Sequence, residues 1–299
     1  MSFVAVERVE AGTPVVAGPE PRRRRRPSAW HLLLIPLALV MVFPFAWLLV
    51  TSVSTLAETR TFPPALPAGF PLQWIENAAR NYSAAWTQAP FGRWLLNTTV
   101  VTSVVVVANL VFCGLAGYAL ARLRFLGRTA LFLVILATLM VPFQVVMIPV
   151  LLICRDLGLV DTLGALIAPN LVTPFGIFLL RQFFKTLPVE IEEAARIDGA
   201  TRLGTLVKVL LPSMAAPLAT VGIMTMLWSW NDFLWPLIAI QSEKNMTLQL
   251  GLSTFVGAHE TNWPVLMAAT VMTQIPMLLI FIFAQRWFVQ SFASSGVKG

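Results

Sequence analysis

The sequence is poor in charge and in the residues that most often carry chemistry. Only 12% of its 299 residues are charged, whereas 57% are hydrophobic; soluble domains have about 25% charged residues. Its two cysteines, Cys113 and Cys154, lie far apart in apolar segments, so they predict neither a disulfide framework nor a metal site. No Gly-x-x-x-x-Gly-Lys-Ser/Thr sequence occurs, which removes the usual loop for nucleotide phosphates. A mean hydropathy of +0.77 indicates an integral membrane protein.

The net charge of +7 would point to nucleic acid in a soluble protein. Here the positive residues bracket apolar runs, so they are better explained as signals of membrane topology, and we expect no nucleic acid partner. Six apolar segments predict an all-α fold with six transmembrane helices: 32–53, 94–120, 130–152, 163–180, 213–240 and 263–288. With both termini inside, sixteen of the 21 Lys and Arg residues fall on the cytoplasmic side, as the positive-inside rule requires.

The same pattern divides the chain into regions. Residues 1–29, which end in a run of five arginines, predict a disordered cytoplasmic tail, and 30–53 predict an uncleaved first transmembrane helix. Five prolines and two tryptophans in 54–91 favour an extracytoplasmic loop. Residues 93–288 are expected to form the main transmembrane domain, and 289–299 a cytoplasmic tail.

Residues 187–212, LPVEIEEAARIDGATRLGTLVKVLLP, form a polar interruption between two apolar segments; we call them the elbow. Pro188 suits the first turn of a helix, and Gly199 supplies a left-handed stop. After it, an apolar stripe predicts a second helix: Leu203, Leu206, Val207 and Leu210, opposite Arg202, Thr205 and Lys208. Two helices joined by a tight turn predict that the elbow is a docking surface for another protein. The alternative is that the elbow is an ordinary amphipathic helix lying on the membrane surface.

The spacing within the elbow resembles a known signature. Glu193-Ala194-Ala195, Gly199, Val209 and Leu211-Pro212 match the EAA motif of permease subunits of type I ATP-binding-cassette importers, with Val209 where Ile is usual. EEAARIDGA, WNDFLWPL and the final GVKG are most similar to the carbohydrate, maltose-permease-like branch, over about 93–299. The resemblance implies an ATPase-coupling set and a second ATPase contact in the tail: Glu193, Ala194, Ala195, Asp198, Gly199 and Pro212, with Gly296 and Lys298.

Two further regions are candidates for contact with the solute or its carrier. In the fifth segment an acid stands among aromatic residues, which suits sugar binding by stacking and hydrogen bonding; the alternative is that these polar residues brace helices. The pathway candidates are Asn97, Trp228, Trp230, Asn231 and Asp232. The resemblance places the loop that reaches into the solute-binding protein at 255–263, with Phe255, His259, Glu260 and Trp263; a plain solvated connector is the alternative.

We therefore expect a multi-pass permease subunit in a bacterial cytoplasmic membrane that imports a sugar by alternating access. The resemblance implies a homologous second permease, two ATP-binding subunits and an extracytoplasmic solute-binding protein. The chain is expected to carry no cofactor or metal and to be no enzyme, since its partners bind ATP. Other importers, for glycerol phosphate or polyamine, stay open. An integral-membrane enzyme is disfavoured because no acid–base cluster is visible, and a secondary transporter because no internal repeat is visible.

Overall fold

The computed structural model describes residues 30–63, 66–67, 69–257 and 260–296, with side chains as far as Phe283. Within these ranges the regular structure is entirely helical, which confirms the predicted all-α class. The α-helices are α1 (His31–Ser52), α2 (Leu56–Arg60), α3 (Leu72–Thr87), α4 (Phe91–Arg122), α5 (Arg128–Thr138), α6 (Phe143–Asp156), α7 (Leu163–Ile167), α8 (Pro174–Thr186), α9 (Glu190–Ile197), α10 (Arg202–Thr205), α11 (Leu211–Ser213), α12 (Ala215–Trp230), α13 (Leu234–Ala239), α14 (Leu248–Leu252) and α15 (Trp263–Gly296). A π-helical turn, Leu206–Leu210, joins α10 to α11.

The chain divides after Ala46 into two compact units. The described part of the first unit is the apolar beginning of α1, whose side chains are exposed within this chain. At 22 residues, α1 is long enough to cross a bilayer. The predicted tail 1–29 lies outside the described residues.

In the second unit, Trp47–Gly299, the long helix α4 is the central element. Its 32 residues extend for about 48 Å, which exceeds the roughly 30 Å of a hydrocarbon core. It packs against α8 and α12 and contributes buried residues along most of its length. Because α4 is longer than a hydrocarbon core is thick, its two ends can contact different surface structures.

Glycines allow α4 and α8 to approach closely. A Cβ at Gly117 of α4 would lie 3.0 Å from the backbone nitrogen of Arg181, and one at Gly176 of α8 would lie 2.9 Å from Sγ of Cys113. Small residues at helix contacts are typical of membrane bundles, where dispersion contacts replace the hydrophobic effect.

The six predicted spans differ in shape from the helices of the structure. Among the described residues, four helical segments are long and apolar enough to cross a membrane: His31–Ser52, Phe91–Arg122, Leu163–Thr186 and Trp263–Phe283. Two bent helix pairs raise the number to six if each pair is one span. The third predicted span is wrong as one helix, because α5 and α6 meet at 102°. The break lies just before Pro142, because the helical conformation is disfavoured for a residue that precedes proline. Pro149, in contrast, lies inside α6.

The fifth predicted span, 213–240, is also interrupted. Its helix α12 ends at Trp230, and α13 begins only at Leu234. At its other end α12 meets the second elbow helix at 81°. The predicted loop 54–91 contains the 16-residue helix α3, and α15 continues to Gly296, past the expected span end at 288. Amphipathic spacing in α3 buries Asn77, Asn81 and Ala85 on one face.

Candidate functional site

The first elbow helix, α9, has acidic residues in its first turn, where the helix dipole favours negative charge. It ends in a Schellman motif. The Ala200 N–H donates to the Ala195 carbonyl at 2.9 Å, and the Gly199 N–H donates to the Arg196 carbonyl at 3.0 Å. Gly199 has a φ of +82°, which confirms the predicted left-handed stop. A Cβ there would meet nothing within 4 Å, so only the backbone conformation constrains the residue.

A buried ion pair fastens α9 to the end of α4. Nε of Arg122 lies 2.8 Å from Oε1 of Glu192, and the two side chains are only 11% and 5% exposed. These two atoms lack an aligned hydrogen bond, so charge holds them together. The Arg122 guanidinium also donates to the Leu187 carbonyl at the start of the elbow. Sequence analysis missed this pair, because nothing in the spacing of 122 and 192 relates them.

The predicted coupling residues divide between two faces of the elbow. Glu193, Ala194 and Asp198 are exposed, and Ile197 beside them is 87% exposed. Ala195 instead faces the bundle and is buried. The exposed face therefore combines an acid, a small residue and an apolar tip next to the Gly199 turn, which is suitable for insertion into a partner's cleft.

The second elbow helix departs from the predicted stripe. Leu206 and Leu210 are buried in the bundle core, but Leu203 and Val207 are exposed and line an apolar groove with α4. The expected polar Thr205 is buried. The π turn at Leu206–Leu210 changes the helical phase, so the 3.6-residue period does not hold across it. Pro212 lies just after this turn, inside α11.

Two pathway candidates serve to brace helices. Asn97 is 2% exposed, and its amide nitrogen donates to the carbonyls of Lys244 and Met246 at 2.9 and 2.8 Å. Trp230 is buried, and its indole N–H donates to the Thr273 carbonyl of α15 at 3.3 Å. These contacts support the bracing alternative for Asn97 and give Trp230 a similar contact that was not predicted; a pathway role for both stays a prediction.

The other pathway candidates lie nearer an open surface. Trp228 is 46% exposed and lines a cavity of about 480 Å³. Its lining joins the break after α5, the start of α8 and the face of α12: Leu139, Thr173, Pro174, Phe175, Met224, Thr225 and Trp228. Asn231 and Asp232 occupy the break after α12, where the Asp232 carboxylate accepts from the Trp235 N–H at 3.4 Å. Asn231 and Asp232 are not among the residues of this cavity.

A polar network at the α4 N-terminal end holds residues 241–248, and we call it the 241–248 clamp. The Asp161 carboxylate accepts from the N–H groups of Gln241 and Ser242 at 3.0 and 2.8 Å and from the Ser242 hydroxyl at 2.8 Å. These bonds lower the pKa of Asp161 to about 2. Two residues of α4 also bond to this segment. Asn97 donates to it as described above, and the Trp94 indole N–H donates to the Glu243 carbonyl at 3.0 Å. Nothing in the sequence relates position 161 to 241–242, so this contact was not predicted.

The predicted binding-protein loop is partly anchored. Phe255 packs edge-on against Trp94, with centroids 6.3 Å apart. Glu260 forms an exposed 2.9 Å ion pair with Arg60 of α2. Trp263 begins α15 and is 47% exposed. His259 lies outside the described residues.

The tail candidates are described only in part. Gly296 is the last helical residue of α15, whereas Lys298 falls outside the described residues. Within the described ranges, no three His, Cys, Asp or Glu side chains gather where they could hold a metal ion.

Residues 113–294 match the family described as binding-protein-dependent transport system inner membrane component. The chain is similar to the arabinooligosaccharides transport system permease protein AraQ of Halalkalibacterium halodurans, at 40% identity over 220 residues, which are 73% of this chain and 79% of that protein. It is 32% identical over 273 residues to the sn-glycerol-3-phosphate transport system permease protein UgpE of Pectobacterium atrosepticum, covering 89% and 95% of the two chains.

A solved structure shares the fold. It is a bacterial ABC transporter involved in the import of the acidic polysaccharide alginate, and one of its chains matches with a TM-score of 0.75 at 28% identity, covering 86% of this chain and 94% of that one. Together with the elbow, the helical bundle and the match over 113–294, these similarities establish the family. The chain belongs to the binding-protein-dependent inner membrane components, the permease subunits of ATP-binding-cassette transporters.

Proposed function

We propose that the chain is one of two permease subunits through which a neutral saccharide crosses the cytoplasmic membrane, driven by partner ATPases. The observation that carries the proposal is the elbow: a short helix with an exposed Glu193–Ala194–Ile197 face that is fastened to the bundle by the Arg122–Glu192 pair. A surface helix with no mechanical task needs no such internal fastening. A force on the exposed face would be transmitted directly to α4.

In this mechanism the chain performs no hydrolysis. ATP is bound by two partner subunits, whose cleft receives Glu193, Ala194 and the Gly199 turn. Pro212 lies inside α11, at the end of the elbow that leads into α12. Movement of the elbow rocks α4 and α8 together, because the two helices are in close contact through Gly117 and Gly176. The bundle then alternates between outward and inward access.

The same proposal fixes the topology. The elbow, the N-terminal tail and the end of α15 with Gly296 and Lys298 face the cytoplasm, and the 241–248 clamp faces outward. A homologous second permease completes the pathway. The loop with Phe255, His259, Glu260 and Trp263 meets the solute-binding protein, and the Arg60–Glu260 pair holds its approach.

The cavity beside Trp228 favours a neutral sugar. Its described lining supplies the indole face of Trp228 for stacking, and none of these lining residues is charged. The Thr173 hydroxyl is already bonded to Asn109 and to the Gly176 N–H, so stacking is the main contact that this chain offers. The name of the UgpE relative makes glycerol phosphate the second candidate. A phosphate, or an acidic polysaccharide such as alginate, would need a cation at this site, and such a cation would have to come from the second permease.

The test is uptake by the reconstituted complex of both permeases, the ATPases and the binding protein. Neutral arabino-oligosaccharides, glycerol 3-phosphate and alginate oligomers would be offered in parallel, each labelled. Trp228→Ala is expected to reduce sugar uptake at least tenfold, with Trp228→Phe retaining more of it. Leu227→Ala is the control, since that neighbour is similarly exposed but lies outside the cavity lining. Wild-type uptake by Trp228→Ala would remove the cavity from the pathway, and preferential uptake of the phosphate would refute the neutral sugar.

A further inference from the structure

A basic cavity of about 640 Å³ lies between the α4–α5 connection and the elbow. Five arginines and two glutamates line it, which gives the lining a net charge of +3; they are Arg122, Arg124, Arg128, Arg196, Arg202, Glu192 and Glu193. No part of the coupling proposal uses the excess positive charge.

The charges in this cavity are not equally engaged. Arg122 is neutralised by Glu192, and Arg128 donates to the Leu123 carbonyl at 3.0 Å while keeping its charge. Within the part of the chain that the structure describes, Arg124 and the two elbow arginines form no ion pair. The cavity thus holds several unneutralised guanidinium groups around one open volume, the arrangement that binds phosphate oxygens.

Apolar side chains lie beside two of these arginines. Phe125 and Leu126 stand between Arg124 and Arg128, and Leu126 is fully exposed. Arg128 begins α5, so the positive end of the α5 helix dipole lies in this region. Among the residues of α5 only Phe132 is buried, so the rest of this apolar helix is exposed. A site where arginines border an exposed apolar helix is where a lipid headgroup meets its acyl chains.

We propose that this cavity binds the phosphate of an acidic phospholipid, held from the α4–α5 connection by Arg124 and Arg128 and from the elbow by Arg196 and Arg202. Basic pockets between membrane helices recognise such headgroups. The bound lipid would bridge the bundle and the elbow and so strengthen the connection through which force passes. The proposal rests on the membrane assignment and not on the transported solute.

Native mass spectrometry of the purified full chain tests it with added dioleoyl phosphatidylglycerol or phosphatidylcholine. Arg124→Gln/Arg128→Gln is expected to bind phosphatidylglycerol roughly tenfold more weakly, since each arginine near a membrane surface contributes several-fold. Phosphatidylcholine binding should stay unchanged. Arg80→Gln/Arg155→Gln removes the same charge elsewhere and should behave like wild type, and thermal unfolding of each variant checks its fold.

Three outcomes would overturn the proposal. Equal loss in the control variant would mean that net charge alone attracts the lipid. Displacement of phosphatidylglycerol by millimolar inorganic phosphate would identify a free-anion site. Unchanged lipid binding in Arg124→Gln/Arg128→Gln, together with lost co-purification of the ATPase, would assign the cavity to an acidic segment of that partner. None of these results depends on sugar uptake, so the lipid site and the transport proposal fail separately.

Discussion

The two ends of α4 are connected to the rest of the bundle by different chemistry. At its C-terminal end one buried ion pair, Arg122–Glu192, joins α4 to the elbow. At its N-terminal end neutral donors predominate: Trp94 and Asn97 reach three backbone carbonyls of the 241–248 clamp. The carboxylate that bonds to the clamp, that of Asp161, is partly exposed and accepts chiefly from backbone N–H groups.

This difference has a mechanical consequence. A buried ion pair is costly to break because each partner left alone is an uncompensated charge, so the elbow and α4 move as one body. Several neutral hydrogen bonds are each weaker, and the loss of one leaves the others in place. The elbow end is therefore suited to transmit force, and the clamp end to hold a broken helix, α12–α13, in a fixed arrangement.

Breaking the ion pair is the largest perturbation we expect. Arg122→Met or Glu192→Leu alone should destabilise the protein by about 3–5 kcal/mol, because the remaining charge stays buried. Thermal unfolding of the chain in nanodiscs measures the effect as a lowered Tm. The double variant Arg122→Met/Glu192→Leu should recover most of the loss, since an apolar pair of similar volume replaces two buried charges. A double variant as unstable as the singles would show that the pair's packing, and not its charge, supports the elbow.

The clamp should respond less to a single change. Asn97→Leu removes two hydrogen bonds and leaves the carbonyls of Lys244 and Met246 without that donor, at about 1–3 kcal/mol. The Trp94 bond to the same segment remains, so the clamp should stay folded. Thr99→Val is the matched control on α4, because its hydroxyl bonds only within its own helix. A loss as large as that of Glu192→Leu would contradict the distributed-bond interpretation.

Sequence reasoning succeeded where local chemistry decides the structure. The apolar runs predicted the all-α membrane fold, and Gly199 predicted the end of α9. It failed where distant residues decide. Arg122 pairs with Glu192, and Asp161 bonds to residues 241–242. These partners are too far apart in the sequence for a helical or turn pattern to predict the contacts.

The breaks in the third and fifth spans were missed for a related reason. Pro142 and Pro149 look alike in the sequence, yet only Pro142 interrupts a helix, while Pro149 lies inside α6. Neighbouring helices decide whether a proline's unpaired carbonyl is satisfied. The acid at 232 was read as part of a span, whereas it lies at the break and accepts from the Trp235 N–H.

Gly199 provides a sharper test of the elbow, because Gly114 is its natural control. A Cβ at either glycine meets nothing within 4 Å, but only Gly199 has a positive φ. Gly199→Val should therefore cost about 1–2 kcal/mol through backbone strain, whereas Gly114→Ala should be neutral or stabilising by up to about 1 kcal/mol. If the elbow couples to the ATPase, Gly199→Val and Glu193→Ala should also lower ATPase co-purification and sugar-stimulated hydrolysis. Wild-type values in both variants would reduce the elbow to a surface helix.

The smallest expected effect concerns Asp161 and depends on pH. Hydrogen bonds from Ser242 and Gln241 lower its pKa to about 2, against about 3.9 for an unfolded aspartate. A lowered native pKa means that the stabilisation is complete above about pH 4 and is lost as the pH falls towards 2. Asp161→Asn keeps an acceptor oxygen and tolerates the φ of +59°, but it is neutral at every pH, so it should unfold at a slightly lower Tm than wild type at pH 7 and approach wild type as the pH falls from 4 towards 2. Tm measured against pH for both proteins tests this, with Asp156→Asn as the control at an exposed acid. Parallel curves for the wild type and Asp161→Asn would mean that the carboxylate's charge contributes nothing to the clamp and that its geometry alone holds residues 241–248.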